Sequence, residues 1–248
     1  MQEQLKLLAE AGLALTVGGR AVNLPRIYTL SRTGRQAAAL LGVPPSKRFR
    51  PSEEADKGHN PYFLKHTMAV IDVLTSAQLL CQQVPGIVLN RMYTERELRR
   101  RIYVEIAVDD TTQRRTVCLE PDASCDFTIQ DKWRDFFHIE VYRNLPPAEW
   151  RFKQKIAGYV TYALSGQHEA LFNTAALSIA VIAVSQQMAT TLKQWTEETL
   201  VEMGRPAEGD WFFFCSLDPA KASPEELFLS PVWEQAFSDV KTPLLVLE

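Results

Sequence analysis

The sequence predicts a mixed α/β fold in which helices cover the faces of a β-sheet. Two long amphipathic stretches, at residues 62–84 and 148–164, have the periodicity of helices. Between them lie short apolar runs whose alternation is typical of strands, and the fully apolar run at 177–185 predicts a buried strand. The predicted order of elements is α-β-β-β-β-α-β-α-β, which is typical of a mixed sheet packed between helices.

Residues 1–50 predict a separate module in front of this sheet. Its elements are expected to be a helix at 2–11, a β-hairpin within 13–30 and a second helix at 31–42. Ser31 or Thr33 is the expected N-cap of the second helix, and Gly42 is its expected end. A helix, a hairpin and a helix in this order form the second half of a winged helix.

A stretch rich in proline and charge follows this partial winged-helix module and predicts a linker at residues 51–60. The second domain is then expected to span 61–248. Besides the two long helices and the buried strand, its predicted elements are strands at 101–108, 114–120, 123–129 and 135–142, a helix at 186–204, and strands at 210–217 and 242–248.

The charge is distributed unevenly along the chain. Residues 1–50 contain eight basic and two acidic residues, a net charge of +6, so the other 198 residues carry −9 of the total of −3. A basic end on an acidic body suggests an anionic partner for that end, such as nucleic acid, and a solvated basic loop remains equally open.

The protein is expected to be cytoplasmic and to have no membrane partner. Its four cysteines form no Cys-x-x-Cys pair and no pattern with the four histidines, which is typical of thiols in a reducing compartment. The N-terminus lacks the apolar core of a signal peptide, and the most apolar run is too short to span a bilayer.

The stretch from Glu120 to Asn144 carries the main candidate site. Two strands joined near residue 132 bring Asp122 and Glu140 to the same end of a hairpin. A glutamate among so many apolar residues needs a partner, and Mg²⁺ is one such partner. Lys155 on the following helix provides another, so a metal-dependent hydrolytic site and a structural ion-pair network both remain open.

Three further features of the sequence are candidates for a functional role. A basic run, which could line a DNA-binding cleft or form a solvated helix end, contains Arg91, Arg96, Arg99, Arg100 and Arg101. His138, beside Glu140 on the same strand face, is a candidate proton carrier. His59 and His66 are expected to be a helix cap and a surface residue, not metal ligands.

Several motifs, taken together and in order, resemble the replication-relaxation family of DNA-associated proteins from plasmids and other mobile genetic elements. They are "LLAEAGLAL", "RIYTLSRTGRQAAALLG", "EPDASCDFTI", "FFHIEV", "FKQKIAGY" and "FLSPVW". The resemblance covers nearly the whole chain. It implies a winged helix followed by a PD-(D/E)xK restriction-endonuclease-like domain with an αβββαβ core.

The resemblance also assigns site residues. Asp122 matches the aspartate of the PD motif and Glu140 matches the acidic (D/E) position. Lys155 and Tyr159 are similar to the Gln-x-x-x-Tyr motif on the helix after the catalytic strand. Either Glu95 or Glu97 corresponds to an acidic residue that some members carry before the sheet.

The chain departs from the nuclease pattern at Tyr142, where an active nuclease would carry a lysine. The family's "EVDRG" is "EVYRN" here, so a second acidic residue is missing as well. Lys155 or Lys153 on the helix is the candidate replacement for the missing lysine. These departures imply a degenerate site and a protein that is not an efficient nuclease.

The expected function is therefore DNA binding in the replication, copy control or regulation of a mobile element. The expected DNA-binding residues are Lys6, Arg20, Arg26, Arg32, Arg35, Arg99 and Arg100.

Two alternative functions stay open. One is an Mg²⁺-dependent DNA nuclease that uses Asp122, Glu140 and Lys155, with Mg²⁺ bound by the two carboxylates. The other is a protein-interaction subunit of a DNA-processing complex. Only the third helix of a winged helix is matched. Three explanations stay open: the natural chain begins further upstream, the chain has lost the usual groove-reading part, or a protein partner or self-association completes the module.

Overall fold

The computed structural model describes residues 2–17, 27–42, 61–99, 101–107, 114–143 and 146–247. The chain divides into two compact units, Met1–Leu64 and Lys65–Glu248. The predicted linker at 51–60 lies outside the described residues. Within the described residues, no helix has the length and apolar character needed to cross a bilayer.

The first unit contains a helix, two paired strands and a helix. These are α1 (Gln2–Glu10), β1 (Ala14–Val17), β2 (Ile27–Leu30) and α2 (Arg32–Leu40), and β1 pairs with β2 in an antiparallel manner. Of the two predicted N-caps of α2, Ser31 is the one used: its Oγ accepts a hydrogen bond from the Gly34 amide at 2.9 Å. Ser31 also donates to the carbonyl oxygen of Gly12 at 2.5 Å, which ties α2 to the end of α1.

Glycine is required at position 34 because α2 packs directly against the backbone. A Cβ at Gly34 would lie 1.8 Å from the carbonyl oxygen of Leu13. The amide of Ser31 donates to that same Leu13 oxygen at 3.0 Å. The start of α2 is therefore fixed against the backbone at the start of β1.

The second unit is built on a seven-stranded mixed sheet with the order β11-β10-β9-β8-β7-β6-β3. Its strands are β3 (Ile87–Thr94), β6 (Ala123–Ile129), β7 (Trp133–Tyr142), β8 (Ser178–Ala183), β9 (Phe212–Cys215), β10 (Trp233–Gln235) and β11 (Lys241–Thr242). Strand β6 is antiparallel to both of its neighbours, β3 and β7. Strands β7, β8 and β9 are parallel to one another, and β10 is antiparallel to both β9 and β11.

The three long helices that the sequence predicts in this unit are present, and shorter helices that it did not predict lie between the strands. They are α3 (Pro61–Gln83), α4 (Glu95–Leu98), α5 (Glu149–Leu164), α6 (Gln167–Phe172), α7 (Gln186–Glu202), a 3-10 helix (Pro206–Trp211) and α8 (Pro224–Phe228). The side chains of β7 alternate between two apolar cores, with Phe136 in one and Phe137, Ile139 and Val141 in the other. The predicted alternation along this strand is confirmed.

Two predicted strands belong to a different sheet from the one expected. Among the residues that the structure describes, strands β4 (Ile102–Ala107) and β5 (Arg114–Leu119) pair with each other alone and form a separate two-stranded hairpin. Their apolar residues Ile102, Val104 and Leu119 join the core around α5. The hairpin therefore packs against α5 and is not part of the main sheet.

Strand β3 takes the place in the sheet that those strands were expected to fill, and the sequence did not predict it. Its register shifts between Leu89 and Arg91, so the alternation of side chains is interrupted there. Asn90, at the bulge, donates to Asp126 at 3.1 Å and to Thr128 at 2.9 Å. The register shift at Asn90 interrupts the alternation of apolar and polar residues along β3, and this alternation is the pattern by which a strand is predicted from sequence.

The predicted C-terminal strand at 242–248 is also wrong. Only Lys241–Thr242 forms a strand, β11. The amides of Leu244 and Leu245 instead donate to the carbonyl oxygen of Phe228, at 3.1 and 2.9 Å. Leu244 and Leu245 are buried in the same core as Phe228 of α8 without joining the sheet, whereas Val246 and Leu247 are exposed.

Candidate functional site

The hairpin of β6 and β7 brings Asp122 and Glu140 together. Gln130 and Asp131 both have positive φ angles, 51° and 55°, within the three-residue turn between the paired residues Ile129 and Trp133. Ala123 pairs with Ile139, and the Asp122 amide donates to the Ile139 carbonyl at 3.1 Å. The hairpin thus turns one residue earlier than expected, and Asp122 lies across from Glu140.

Both oxygens of the Glu140 carboxylate accept hydrogen bonds from α5. Lys155 Nζ lies 2.5 Å from Oε2, and the Tyr159 hydroxyl donates to Oε1. Lys155 and Tyr159 are four residues apart, so both lie on the same face of the helix. Glu140 is 3 % exposed, and burial raises the pKa of its carboxyl to about 7, although the charge of Lys155 acts against this rise.

Lys155 supplies the positive charge in this buried cluster. Burial is the largest single influence and by itself would lower the pKa of the Lys155 ammonium. The negative charges of Glu140, Tyr142 and Asp122, together with the hydrogen bond to Glu140, outweigh burial and raise this pKa. Nζ also donates to the carbonyl oxygen of Glu120 at 3.3 Å. Lys155 therefore stays protonated at neutral pH and joins α5 to β7 and to the segment before β6.

Asp122 is held by two other donors. Its Oδ2 accepts from the Val141 amide at 2.8 Å, and its Oδ1 lies 3.1 Å from Nε2 of His66 on α3. The hydrogen bond to Asp122 raises the pKa of His66, although burial opposes the rise. The expectation that His66 is a surface residue is therefore wrong, because α3 places its ring against the aspartate.

Each oxygen of the two carboxylates thus has a donor from the protein. Within the described residues, no group of three or more histidines, cysteines, aspartates and glutamates is placed to hold a metal ion. We call Asp122, Glu140, Lys155, Tyr159 and His66 the carboxylate–lysine cluster. Its geometry fits a neutralised ion-pair network, in which a divalent cation would have to compete with an ammonium, a hydroxyl, an imidazole and an amide for the same oxygens.

Of the two candidate lysines on α5, Lys155 and not Lys153 enters the cluster. Lys153 Nζ lies 3.0 Å from Glu149 and 2.8 Å from Glu198, so it connects α5 to α7. Tyr142, at the position of the missing nuclease lysine, packs its ring edge-on against Phe152 at 5.7 Å. An aromatic ring that packs against the core supplies no positive charge to the cluster.

The two candidate glutamates before the sheet contribute differently. The side chain of Glu97 makes local hydrogen bonds: its Oε2 accepts one from the Thr94 amide at 2.9 Å and one from the Thr94 hydroxyl at 3.0 Å. Glu95 reaches the site through its backbone, because its amide donates to the Asp122 carbonyl at 3.0 Å. Glu97 is therefore a helix-capping residue.

His138 does not have the environment of a proton carrier at neutral pH. Its side chain is fully buried, and Nδ1 lies 2.6 Å from the Ser124 hydroxyl. Nε2 has no hydrogen-bond partner in the described part of the chain. Burial, with smaller contributions from His168 and Lys155, lowers the pKa of His138 well below its ordinary value. His138 is therefore a neutral core residue.

The expected DNA-binding residues lie in both units. On α1, Lys6 is 3.7 Å from Glu10, and Arg32 is exposed in the first turn of α2, which also carries Arg35. Arg99 is exposed and its Nε lies 3.5 Å from Glu120, whose carbonyl oxygen accepts the hydrogen bond from Lys155. Arg20, Arg26 and Arg100 lie outside the described residues.

Sequence reasoning missed His66 because nothing local marks it. It lies 56 residues before Asp122, and no spacing rule connects a helix residue to a strand at that separation.

The chain matches no family model, no curated protein and no solved structure. The function is therefore argued from the geometry of the carboxylate–lysine cluster and its surroundings.

Proposed function

We propose that this protein binds DNA and acts in the replication, copy control or regulation of a plasmid or other mobile element, without efficient DNA cleavage. In this proposal the first unit is a partial winged helix. The second unit is a restriction-endonuclease-like domain whose hydrolytic site has become an ion-pair network.

The topology of the second unit supports the nuclease-like part of the proposal. Helix α3 is followed by the antiparallel strands β3, β6 and β7, then by helix α5 and the parallel strand β8. Once the β4–β5 hairpin is set aside as an insertion, this is the αβββαβ order that the resemblance implies. Asp122 lies just before the second of these strands and Glu140 lies on the third, as the PD and (D/E) positions require.

The contact between Lys155 and Glu140 is the main observation against efficient DNA cleavage. A nuclease of this kind needs carboxylate oxygens that are open to Mg²⁺, and it needs a lysine that acts on the attacking water. Here the Lys155 ammonium bonds Glu140 directly at 2.5 Å, and Tyr159 takes the other oxygen. Both features favour a structural role for the carboxylates.

The basic residues near the cluster and on the first unit support contact with phosphates. Arg99 is exposed beside Glu120, close to the cluster, while Arg32 is exposed on α2. Such residues give affinity for DNA without information about its sequence. Salt is therefore expected to weaken binding steeply.

The decisive experiment compares the wild-type protein with Glu140→Ala on supercoiled and linear DNA. Each protein is incubated with Mg²⁺, with Mn²⁺ or with a chelator, and both binding and nicking are measured over a range of salt concentrations. We expect a salt-sensitive gel shift without cleavage in both proteins. If neither a shift nor cleavage occurs, the DNA-binding proposal is wrong and the interaction-subunit alternative takes its place.

A second candidate function is an Mg²⁺-dependent nuclease, and the convergence of Asp122, Glu140 and Lys155 favours it. In that case Lys155 would replace the lysine that is missing at Tyr142, and the metal would displace it from Glu140. Metal-dependent nicking by the wild-type protein that is lost in Glu140→Ala would establish this function. It would also show that the ion-pair network opens when DNA binds.

A further inference from the structure

An arginine and a glutamate form a solvent-accessible ion pair beside the carboxylate–lysine cluster. Arg99 Nε lies 3.5 Å from Oε1 of Glu120, and the two side chains are 60 % and 38 % exposed. The same oxygen lies 4.0 Å from Sγ of Cys118, two residues earlier. The positive charge of Arg99 is therefore accessible to solvent, but it already has an anionic partner within the protein.

The backbone of Glu120 is fixed from both sides. Leu119, before it, is fully buried and pairs with Ile102 of β4. The Glu120 carbonyl oxygen accepts the hydrogen bond from Lys155 Nζ at 3.3 Å, and the amide of Asp122 donates to Ile139 at 3.1 Å. The carboxylate of Glu120 is therefore held next to the cluster.

The backbone of Arg99 is fixed in a similar way. Leu98, before it, is fully buried, and the Arg99 amide donates to the Glu95 carbonyl at 2.7 Å. The Glu95 amide in turn donates to the carbonyl oxygen of Asp122 at 3.0 Å. Both members of the pair are thus anchored to the segment that carries Asp122, so the pair can open by movement of the two side chains without a change in the backbone.

The guanidinium of Arg99 can bind a phosphate as well as a carboxylate. Arginine donates in the same planar geometry to both groups, so a phosphate and the Glu120 carboxylate compete for it. A carboxylate on the same chain has a high effective concentration at the arginine. An exposed ion pair is nevertheless weak, and a phosphate can displace the carboxylate.

We infer that Glu120 competes with the DNA backbone for Arg99 and thereby limits the affinity of the protein for DNA. The inference rests on the proposed function, in which DNA is the ligand. It adds a regulating contact to that function, because a phosphate reaches Arg99 only after the Glu120 carboxylate has moved away.

The test measures binding of a fluorescently labelled DNA duplex to the full-length protein by fluorescence anisotropy, over a range of salt concentrations. Glu120→Gln keeps the shape of the side chain and the carbonyl that binds Lys155, but it removes the competing charge. Glu105→Gln is the matched control, because Glu105 of β4 forms a similar exposed ion pair with Arg114 of β5 at 3.7 Å. The melting temperature of each variant shows that it is folded.

We expect Glu120→Gln to bind DNA about threefold more tightly than the wild type at low salt, since the lost contact is a weak surface ion pair. Salt should reduce this gain, because it screens the pair in the wild type. Glu105→Gln is expected to change the affinity much less. Arg99→Gln should weaken binding, and adding Glu120→Gln to Arg99→Gln should give no gain.

The inference is overturned if Glu120→Gln tightens binding no more than Glu105→Gln does. It is also overturned if the gain from Glu120→Gln remains in Arg99→Gln, because a general loss of negative charge would then explain it. If neither the wild type nor Glu120→Gln binds DNA, the proposed function is wrong and the inference fails with it. Binding by Glu120→Gln alone would support both.

Discussion

The Nζ atom of Lys155 lies 2.5 Å from Oε2 of Glu140, and this contact joins helix α5 to strand β7 inside the second unit. Glu140 is 3 % exposed, so its charge requires a partner from the protein. Removal of one partner from such a pair leaves an uncompensated buried charge, which costs far more than the pair itself contributes. The stability of the domain therefore depends on the completeness of the cluster.

The first prediction concerns the charge of Lys155. Lys155→Met keeps most of the side-chain volume but leaves Glu140 without its cation, so we expect the free energy of unfolding to fall by about 3 kcal/mol or more. Urea denaturation at neutral pH measures the change. Lys153→Met, on the same helix, removes ion pairs with glutamates near the surface and should cost about 1 kcal/mol or less. Equal losses in the two variants would contradict a special role for Lys155.

The second prediction concerns the hydroxyl of Tyr159. Tyr159→Phe removes the donor to Oε1 of Glu140 and should lower the free energy of unfolding by about 2 kcal/mol, because a buried charged acceptor loses a hydrogen bond. Tyr162→Phe is the control, since its hydroxyl faces His168 Nδ1 at a longer distance of 3.2 Å and bonds no charged group. A larger loss in Tyr162→Phe, measured in the same denaturation experiment, would contradict the assignment.

The third prediction follows from the raised pKa of Glu140. Its pKa rises from 4.5 to about 7 on folding, so the folded protein holds this proton more tightly than the unfolded chain does. The resulting stabilisation is fully present below about pH 4.5 and is lost as the pH rises through about 7. At 1.36 kcal/mol per unit, the wild type should lose about 3 kcal/mol relative to Glu140→Gln across this range. Parallel stability curves for the two proteins would show that Glu140 titrates normally.

The fourth prediction concerns the contact between His66 and Asp122. The hydrogen bond to Asp122 raises the pKa of His66 from 6.5, so protonated His66 stabilises the folded state below pH 6.5 and this stabilisation is lost as the pH rises through the raised pKa. We expect His66→Gln to be less stable than the wild type at pH 6, with the difference shrinking by pH 8. The free energy of unfolding at both pH values is the measurement, and a difference that grows with pH would refute the pairing.

The fifth prediction concerns the first unit. Gly34→Ala places a Cβ 1.8 Å from the Leu13 carbonyl oxygen, which is backbone and cannot rotate away, so we expect a loss of about 2–3 kcal/mol or more in that unit. Hydrogen exchange should show faster exchange of the Ser31 and Gly34 amides, with protection in β7 and β8 unchanged. Gly158→Ala is the comparison, because the nearest atoms to its Cβ would belong to side chains, Leu119 at 2.8 Å and Val104 at 3.5 Å, and not to the backbone.

Local physical chemistry explains which elements the sequence predicts well. The N-cap of α2 is Ser31, as the residues around it indicate, because a capping hydroxyl acts on an amide three residues away. Likewise, alternation along β7 assigns Phe136 and Phe137 to opposite cores, since successive side chains of a strand point to opposite faces. Both patterns depend only on residues that are close together in the chain, so both can be recognised from the sequence.

The sequence by itself therefore determined the mixed α/β class, the main helices, the hairpin and the presence of Asp122 and Glu140 at one end of it. Only the tertiary structure decided that β4 and β5 leave the main sheet, that β3 enters it, that Lys155 and not Lys153 reaches Glu140, and that His66 binds Asp122. The physical reason is that helices and strands depend on the pattern of side chains over neighbouring residues. Neutralisation of a buried charge depends instead on which distant helix packs above it, and no spacing in the chain records that choice.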